Sequence, residues 1–271
     1  MDKHIAFIGG GNMASAIIGG LLSQGFALSH LHVVEPFEEA RTKLHGAFGI
    51  KAHAEAGDFL KQAGMVVWAV KPQTFKEAAL QVAPFARNAL HLSVAAGIRS
   101  DSIAQWLHTQ RVIRTMPNTP ALIGKGITAL VARAGVSPAD KDWASAVIQT
   151  TGEVLWLNDE SQIDAVTALS GSGPAYMFYF MEAMREAGIG MGLDPAQAYQ
   201  LAVATFIGAG ELAKASSEPP EILRQRVTSK GGTTFAALSA MEHSGIKASF
   251  IQAMQAAQVR AKELGDEFGA A

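Results

Sequence analysis

The sequence predicts an α/β fold, a mostly parallel sheet domain followed by an all-helical domain, and three observations carry that prediction. In the first 158 residues short apolar runs alternate with amphipathic or alanine-rich stretches, the pattern of strands joined by crossover helices. Beyond Asn158 long segments rich in Ala, Met and Leu, separated by Gly or Pro, replace the strand-like runs. The length, 271 residues, suits one large domain or two modest ones. The expected division is therefore residues 1–158 and 159–271.

Taken in order, strands are expected at 5–8, 31–34, 65–70, 92–95 and 112–113. A further pair is expected at 126–131 and 154–157, flanking a helix opened by Ser137-Pro138. In the second part the expected helices are 161–169, 174–186, 195–215, 221–227, 233–241 and 247–264, with Pro174 and Pro195 at first-turn positions. Segment 195–215 is apolar on most of its circumference, which predicts a helix buried all round and a second subunit as its cover.

Charged residues make up 17% of the chain, against roughly 25% in an average soluble protein. So little charge implies extra buried area and hence an oligomer. With 22 Lys and Arg against 24 Asp and Glu there is no basic excess, and nucleic acid is not an expected partner. Zero cysteines remove disulfides, thiolate metal sites and a cysteine nucleophile, and fit a reducing cytoplasm. Four apolar residues before Gly9 are too few for a signal-peptide core, and nowhere do eighteen apolar residues run together, so a soluble intracellular protein without membrane contact is expected. The eight histidines show no ligand spacing, and no metal site is expected.

Phe7-Ile8-Gly9-Gly10-Gly11-Asn12-Met13-Ala14 follows the first strand and opens a helix, in the form G-x-G-x-x-A. Gly9 permits a tight turn, Gly11 lets backbone approach a pyrophosphate, and Ala14 allows close helix packing. Glu35 ends the second strand 21 residues after Ala14, near the spacing of about 20 for a ribose-binding carboxylate. Together these features predict a Rossmann-type dinucleotide site. Glu35 favours NADH, while Arg41 and Lys43 stand close enough in sequence to meet a 2'-phosphate, so NADH and NADPH both stay open.

Ligands of open parallel sheets bind beyond the carboxyl ends of the strands. Val70, Lys71 and Pro72, then Ala95 and Ala96, occupy such positions, and so does Asn118 in the rigid run Arg114-Thr115-Met116-Pro117-Asn118-Thr119-Pro120. On residues alone these read equally well as strand-ending turns. In the helical part, Thr228-Ser229-Lys230-Gly231-Gly232-Thr233-Thr234 can present several backbone amides with the Ser229 and Thr233 hydroxyls, either as a carboxylate nest or as a plain cap and turn. Ser170-Gly171-Ser172-Gly173-Pro174 does not fit G-x-S-x-G and reads as a helix opening.

These pieces, with Leu169 to Tyr176, occur in an order that resembles the pyrroline-5-carboxylate reductase family over essentially the whole chain. The resemblance implies hydride transfer from NADPH or NADH to the cyclic imine of 1-pyrroline-5-carboxylate, giving L-proline. It implies a homodimer through a helical dimerisation domain, with room for assembly of dimers. Carried over by position, Gly9, Gly11, Asn12, Met13 and Ala14 meet the cofactor phosphates, Glu35 the adenosine ribose, and Val70, Lys71, Pro72, Ala95 and Ala96 the nicotinamide side, with Asn118 a further cofactor-binding candidate. The substrate carboxylate falls on Ser229, Gly231, Gly232 and Thr233, and Thr234 faces the ring nitrogen as the catalytic group. Two departures stand out: Glu35-Pro36 where some members carry neutral or basic residues, and Arg226 in place of an asparagine. Another Rossmann-type dehydrogenase, acting on a hydroxy acid or a different imine, and a non-catalytic dinucleotide sensor are the alternatives.

Overall fold

The computed structural model describes residues 3–269. Among them seven strands form one sheet in the order β2-β1-β3-β4-β5-β6-β7: β1 His4–Ile8, β2 Leu31–Val34, β3 Ala63–Trp68, β4 Leu90–Ser93, β5 Val112–Met116, β6 Gly126–Ala132 and β7 Gly152–Trp156. The first five run parallel; β6 turns back antiparallel to β5, and β7 is parallel to β6. Ile8 pairs with Val34 and Trp68, Trp68 with Ser93, and Ser93 with Arg114. That register lines up Gly9, Glu35, Ala69 and Val94 along one edge.

Helices α1 Asn12–Ser23, α2 Glu38–Phe48, α3 Pro72–Val82, α4 Ser100–Leu107 and α5 Pro138–Gln149 connect the strands. Alternate strand residues feed two cores. Ile5, Phe7, Met65 and Val67 pack with Ile17, Ile18 and Ile148, while Ala6, Ile8, Val66 and Trp68 pack with Phe75, Ile103 and Trp106 on the other face. Burial on both faces explains why these strands read as continuous apolar runs. Ser137 opens α5 as expected, and it does so with a reciprocal cap, accepting from Asp140 N at 3.2 Å and donating its own N–H to the Asp140 carboxylate at 3.1 Å.

Four strands differ from the sequence expectation by two residues or more at an end. β3 and β4 end at Trp68 and Ser93, because Ala69-Val70 and Val94-Ala95 continue the apolar runs as edge turns. β5 extends to Met116, since Arg114 and Thr115, polar in sequence, are buried within the sheet at 4% and 1% exposure. β7 begins at Gly152, whose φ of +140° and contact with the Gly126 main chain leave no room for a β-carbon.

The Trp68 indole donates to His91 Nδ1 at 3.1 Å, and His91 Nε2 donates to the Ala86 carbonyl at 3.1 Å. Burial pushes the His91 pKa down to about 4, so the imidazole is neutral at pH 7. Four of the eight histidines gather at the β2 edge, although sequence showed them scattered: His4 Nδ1 lies 2.9 Å from His32 Nε2, the His30 ring 4.5 Å from that of His4, and the His53 ring 3.8 Å from that of Phe59. No group of three or more His, Cys, Asp or Glu among the described residues is arranged to hold a metal ion.

The chain forms two compact units, one comprising residues up to Ser172 with the segment from Ala257 onward, the other Gly173–Ala256. After β7 come α6 Gln162–Val166 and a π-helical turn, Thr167–Gly171, so that the expected helix 161–169 changes its winding before it ends. The second unit holds α7 Gly173–Gly190, α8 Pro195–Ala215, α9 Pro220–Arg226, α10 Thr233–His243 and the first part of α11 Ile246–Gly269. α7 and α8 pack closely at Gly188, where a β-carbon would stand 2.9 Å from that of Ala198. Within a single copy α8 buries only Ala198 and Ala202, while Tyr199, Leu201, Ile207 and Leu212 are each more than half exposed. A single copy of this small unit offers too few helices to surround it. Among the described residues no helix is long and apolar enough to cross a membrane.

Candidate active site

In the sheet unit the site begins at the turn between β1 and α1. Gly9 has φ +93°, its N–H donates to Val34 O at 2.8 Å, and a β-carbon there would lie 2.5 Å from the Ala69 carbonyl. Only glycine satisfies both constraints. Gly11 is the N-cap residue of α1 and faces open space. The α1 amides of Asn12, Met13 and Ala14 follow it, at a helix start where amides lack intrahelical acceptors. No side chain caps this end and no acidic residue stands in its first turn. A positive helix terminus with exposed Gly11 and Asn12 fits the phosphates of a dinucleotide.

Glu35, 6% exposed, faces inward. One carboxylate oxygen accepts the Gly10 N–H at 2.7 Å and the other the Phe37 N–H at 3.0 Å. The acidic residue expected at a ribose thus also clamps the glycine turn to the end of β2. Arg41 donates to the Glu35 and Pro36 carbonyls at 2.9 and 2.7 Å, and Lys43 pairs with Glu39 at 2.7 Å. Both cations considered for a 2'-phosphate therefore have intramolecular partners.

Along the same edge Val70 is half-buried, Lys71 is exposed as the N-cap residue of α3, and Pro72 holds its first position. The Lys71 carbonyl accepts from the Thr74 N–H and hydroxyl at 3.1 Å each. Ala95 is buried and Ala96 exposed, in a turn begun by Ser93, whose Oγ accepts the Ala95 N–H at 3.3 Å. Thr115 donates its hydroxyl to Ser93 O at 2.9 Å, joining the ends of β4 and β5. Asn118 ties its own loop to two neighbours. Its side-chain carbonyl accepts Ile127 N–H at 3.0 Å and its amide donates to Ser170 O, in the π-helical turn, at 3.2 Å.

Sequence reasoning overlooked Glu160. It binds Arg114 Nη1 at 2.9 Å, the Ser100 N–H at 2.8 Å and the Ser100 hydroxyl. In sequence it lies in the polar run Asn158-Asp159-Glu160-Ser161 and passes for solvated loop. The available signal was Arg114, since an arginine inside a buried strand needs a carboxylate partner.

In the helical unit, Ser229 to Gly232 form the turn between α9 and α10. Gly231 has φ +75°, and Gly232 donates its N–H to Ser229 O at 3.0 Å. A β-carbon on Gly232 would stand 2.6 Å from Ser229 Oγ. Gly232 is the N-cap residue of α10, again without a side-chain cap. The amides of Thr233 and Thr234 thus begin a helix with Ser229 and Thr233 exposed beside them and Thr234 half-buried, an arrangement suited to a small carboxylate.

Fold and glycine turn define a Rossmann-type oxidoreductase with a helical C-terminal unit. A family model described as pyrroline-5-carboxylate reductase dimerisation matches residues 160–264, and one for NADP oxidoreductases dependent on coenzyme F420 matches residues 4–97. A pyrroline-5-carboxylate reductase of Pseudomonas aeruginosa is 43% identical over 98% of each chain. Among solved structures, a pyrroline-5-carboxylate reductase from Coxiella burnetii is similar with a TM-score of 0.90 at 35% identity, covering 97% of this chain and 99% of that one. A Plasmodium falciparum pyrroline carboxylate reductase with NADP bound has a TM-score of 0.86 at 25% identity, covering 97% and 98%. The chain belongs to the pyrroline-5-carboxylate reductase family.

Proposed function

We propose that the chain reduces the cyclic imine of 1-pyrroline-5-carboxylate to L-proline, the last step of proline biosynthesis, using NADH or NADPH. The single observation that carries this reading is the near full-length similarity to reductases of that name. It spans both the glycine turn and the Ser229 to Thr234 turn.

When bound, the reduced nicotinamide supplies a hydride. The chain's own residues bind and orient. Gly11, Asn12, Met13 and Ala14 hold the phosphates on main-chain amides, Gly9 forms the tight turn that brings them there with its own N–H spent on Val34 O, and Glu35 offers the ribose the lone pairs that Gly10 and Phe37 leave free. Val70, Lys71, Pro72, Ala95, Ala96 and Asn118 border the nicotinamide. Ser229, Gly231, Gly232 and Thr233 hold the substrate carboxylate, and the Thr234 hydroxyl is directed at the ring nitrogen, where it orients the imine and accompanies its proton. A protonated imine is already electrophilic, so position and exclusion of water contribute more than a strong acid.

In this reading residues 1–158 are the dinucleotide-binding domain and 159–271 the dimerisation and substrate-binding domain, in a cytoplasmic homodimer that can assemble further. A small molecule is the partner, and neither nucleic acid nor membrane is involved. The apolar side chains exposed along α8 support self-association.

The test follows NADH and NADPH absorbance with pyrroline-5-carboxylate and, separately, with a keto acid. Oxidation only with the imine is expected. Thr234→Ala should lower kcat/KM on the order of ten- to a thousand-fold while cofactor affinity persists, as for loss of one donor. Unchanged kinetics would remove Thr234 from the mechanism.

A further inference from the structure

One carboxylate ties the start of α4 to the middle of β5, the elements that adjoin the two loops 94–99 and 116–120. Glu160 Oε1 accepts the Ser100 N–H at 2.8 Å and Arg114 Nη1 at 2.9 Å, and its Oε2 takes the Ser100 hydroxyl. Ser100 is the first residue of α4 and so terminates the loop 94–99, which contains Ala95 and Ala96. The other end of that loop is fixed at Ser93, through Ala95 N–H at 3.3 Å and Thr115 Oγ1 at 2.9 Å. Arg114 pairs with Ser93 across β4 and β5 and leads within three residues to Pro117-Asn118.

Arg114 is 4% exposed, and its Nε is buried with no hydrogen-bond partner. Its charge is balanced by the Glu160 carboxylate at Nη1. A second cation, Arg133, donates to Ser100 Oγ at 3.1 Å and braces the same corner. Two ends are thus held by one rigid group: the start of α4 and the middle of β5. A flexible or uncharged substitute would let them separate.

We infer that Glu160 is a positioning residue for hydride transfer. By binding Ser100 and Arg114 together it sets the spacing between loops 94–99 and 116–120, and with it the placement of the nicotinamide ring. The adenosine half is held elsewhere, at the glycine turn and Glu35, and does not depend on this grip. The inference rests on the reductase reading.

The decisive comparison sets Glu160→Gln and Ser100→Ala beside the wild-type enzyme. Glu160→Gln keeps the shape and removes the charge; Ser100→Ala removes the two bonds of the hydroxyl, to Glu160 and from Arg133, and leaves the Glu160–Arg114 pair whole, so it stays informative if the first variant fails to fold. Misplacement by about 1 Å costs on the order of a hundredfold in rate. Expected for Glu160→Gln is a loss of kcat of about ten- to a hundredfold per folded molecule, and for Ser100→Ala a loss of several-fold. In both, cofactor dissociation constants measured by nicotinamide fluorescence should stay within about twofold, and the primary isotope effect with 4-deuterated cofactor should grow as the hydride step becomes limiting. Unchanged kcat per folded molecule in both variants overturns the inference. Weakened cofactor binding with an unaltered isotope effect overturns it as well, because Glu160 would then serve binding or folding alone. A wild-type enzyme that does not turn over the imine removes the reductase reading itself, a result distinguishable from normal turnover in both variants.

Discussion

The sheet unit and the helical unit solve the same problem differently. In the first, Phe7, Ile5, Met65, Trp68 and Phe75 are fully enclosed by their own chain, in two cores on either face of the sheet. In the second, α8 buries two alanines and α10 buries nothing, while Phe178, Tyr179, Leu201 and Ile207 stand more than half exposed. A sheet covered by helices completes its own interior, whereas a few helices around a long apolar one do not. Apolar surface on that scale marks an interaction face. The low charge content, read over the whole sequence, is therefore concentrated in its effect on one unit.

The largest effect should come from placing a charge on the uncovered face. Ile207→Glu buries a carboxylate without a partner in any dimer formed through α8, which costs about 3–5 kcal/mol. Light scattering should then show monomers, and turnover of the imine should fall to background. Unaltered mass and activity would break the comparison at its centre.

A smaller effect sharpens the other side. Burial holds His91 at a pKa of about 4 against the ordinary 6.5. Since the fold binds the neutral imidazole, its stabilisation is complete above pH 6.5 and is lost as pH falls toward 4, in all by about 3 kcal/mol. His32, lowered first by burial and then by His4, His53 and His30, adds in the same direction. Denaturant midpoints of the sheet unit should drop from pH 6.5 to about 5, before most carboxylates titrate, and His91→Gln should flatten that slope by more than half. An identical slope in the variant would mean that His91 is not the group responsible.

The smallest effect concerns surface that is open in the sheet unit. Gly46 lies on α2, and a β-carbon added there would meet nothing within 4 Å. Gly46→Ala should raise stability by about 0.5–1 kcal/mol through helix propensity, seen as a rise in Tm with no change in mass. A loss of stability would show that this face is covered after all.

What sequence disclosed follows the same division. The strand–helix alternation, Gly9, Gly11 and the acidic end of β2 were legible because local pattern and spacing encode them. The inward turn of the Glu35 carboxylate onto Gly10 was not, since it depends on β1 and β2 lying side by side. β5 read too short because a polar Arg114 looked like the end of a strand, while its compensation came from Glu160, 46 residues further on. Asn118 read as a ligand candidate, and its bonds to Ile127 and Ser170 appear only once the chain has folded. For α8 the apolar circumference was legible and its cover was not, because the covering groups are absent from a single chain.

Where β6 and β7 begin, the pair Gly152 and Gly126 imposes a limit of another kind. Any single-base change in the codon for residue 152 that alters the amino acid drives a side chain into the neighbouring strand's backbone. A lineage can drift at Gly46 and stay locked at Gly152. The constraint holds whatever side chain residue 126 carries, because the atoms that residue 152 meets there are main chain.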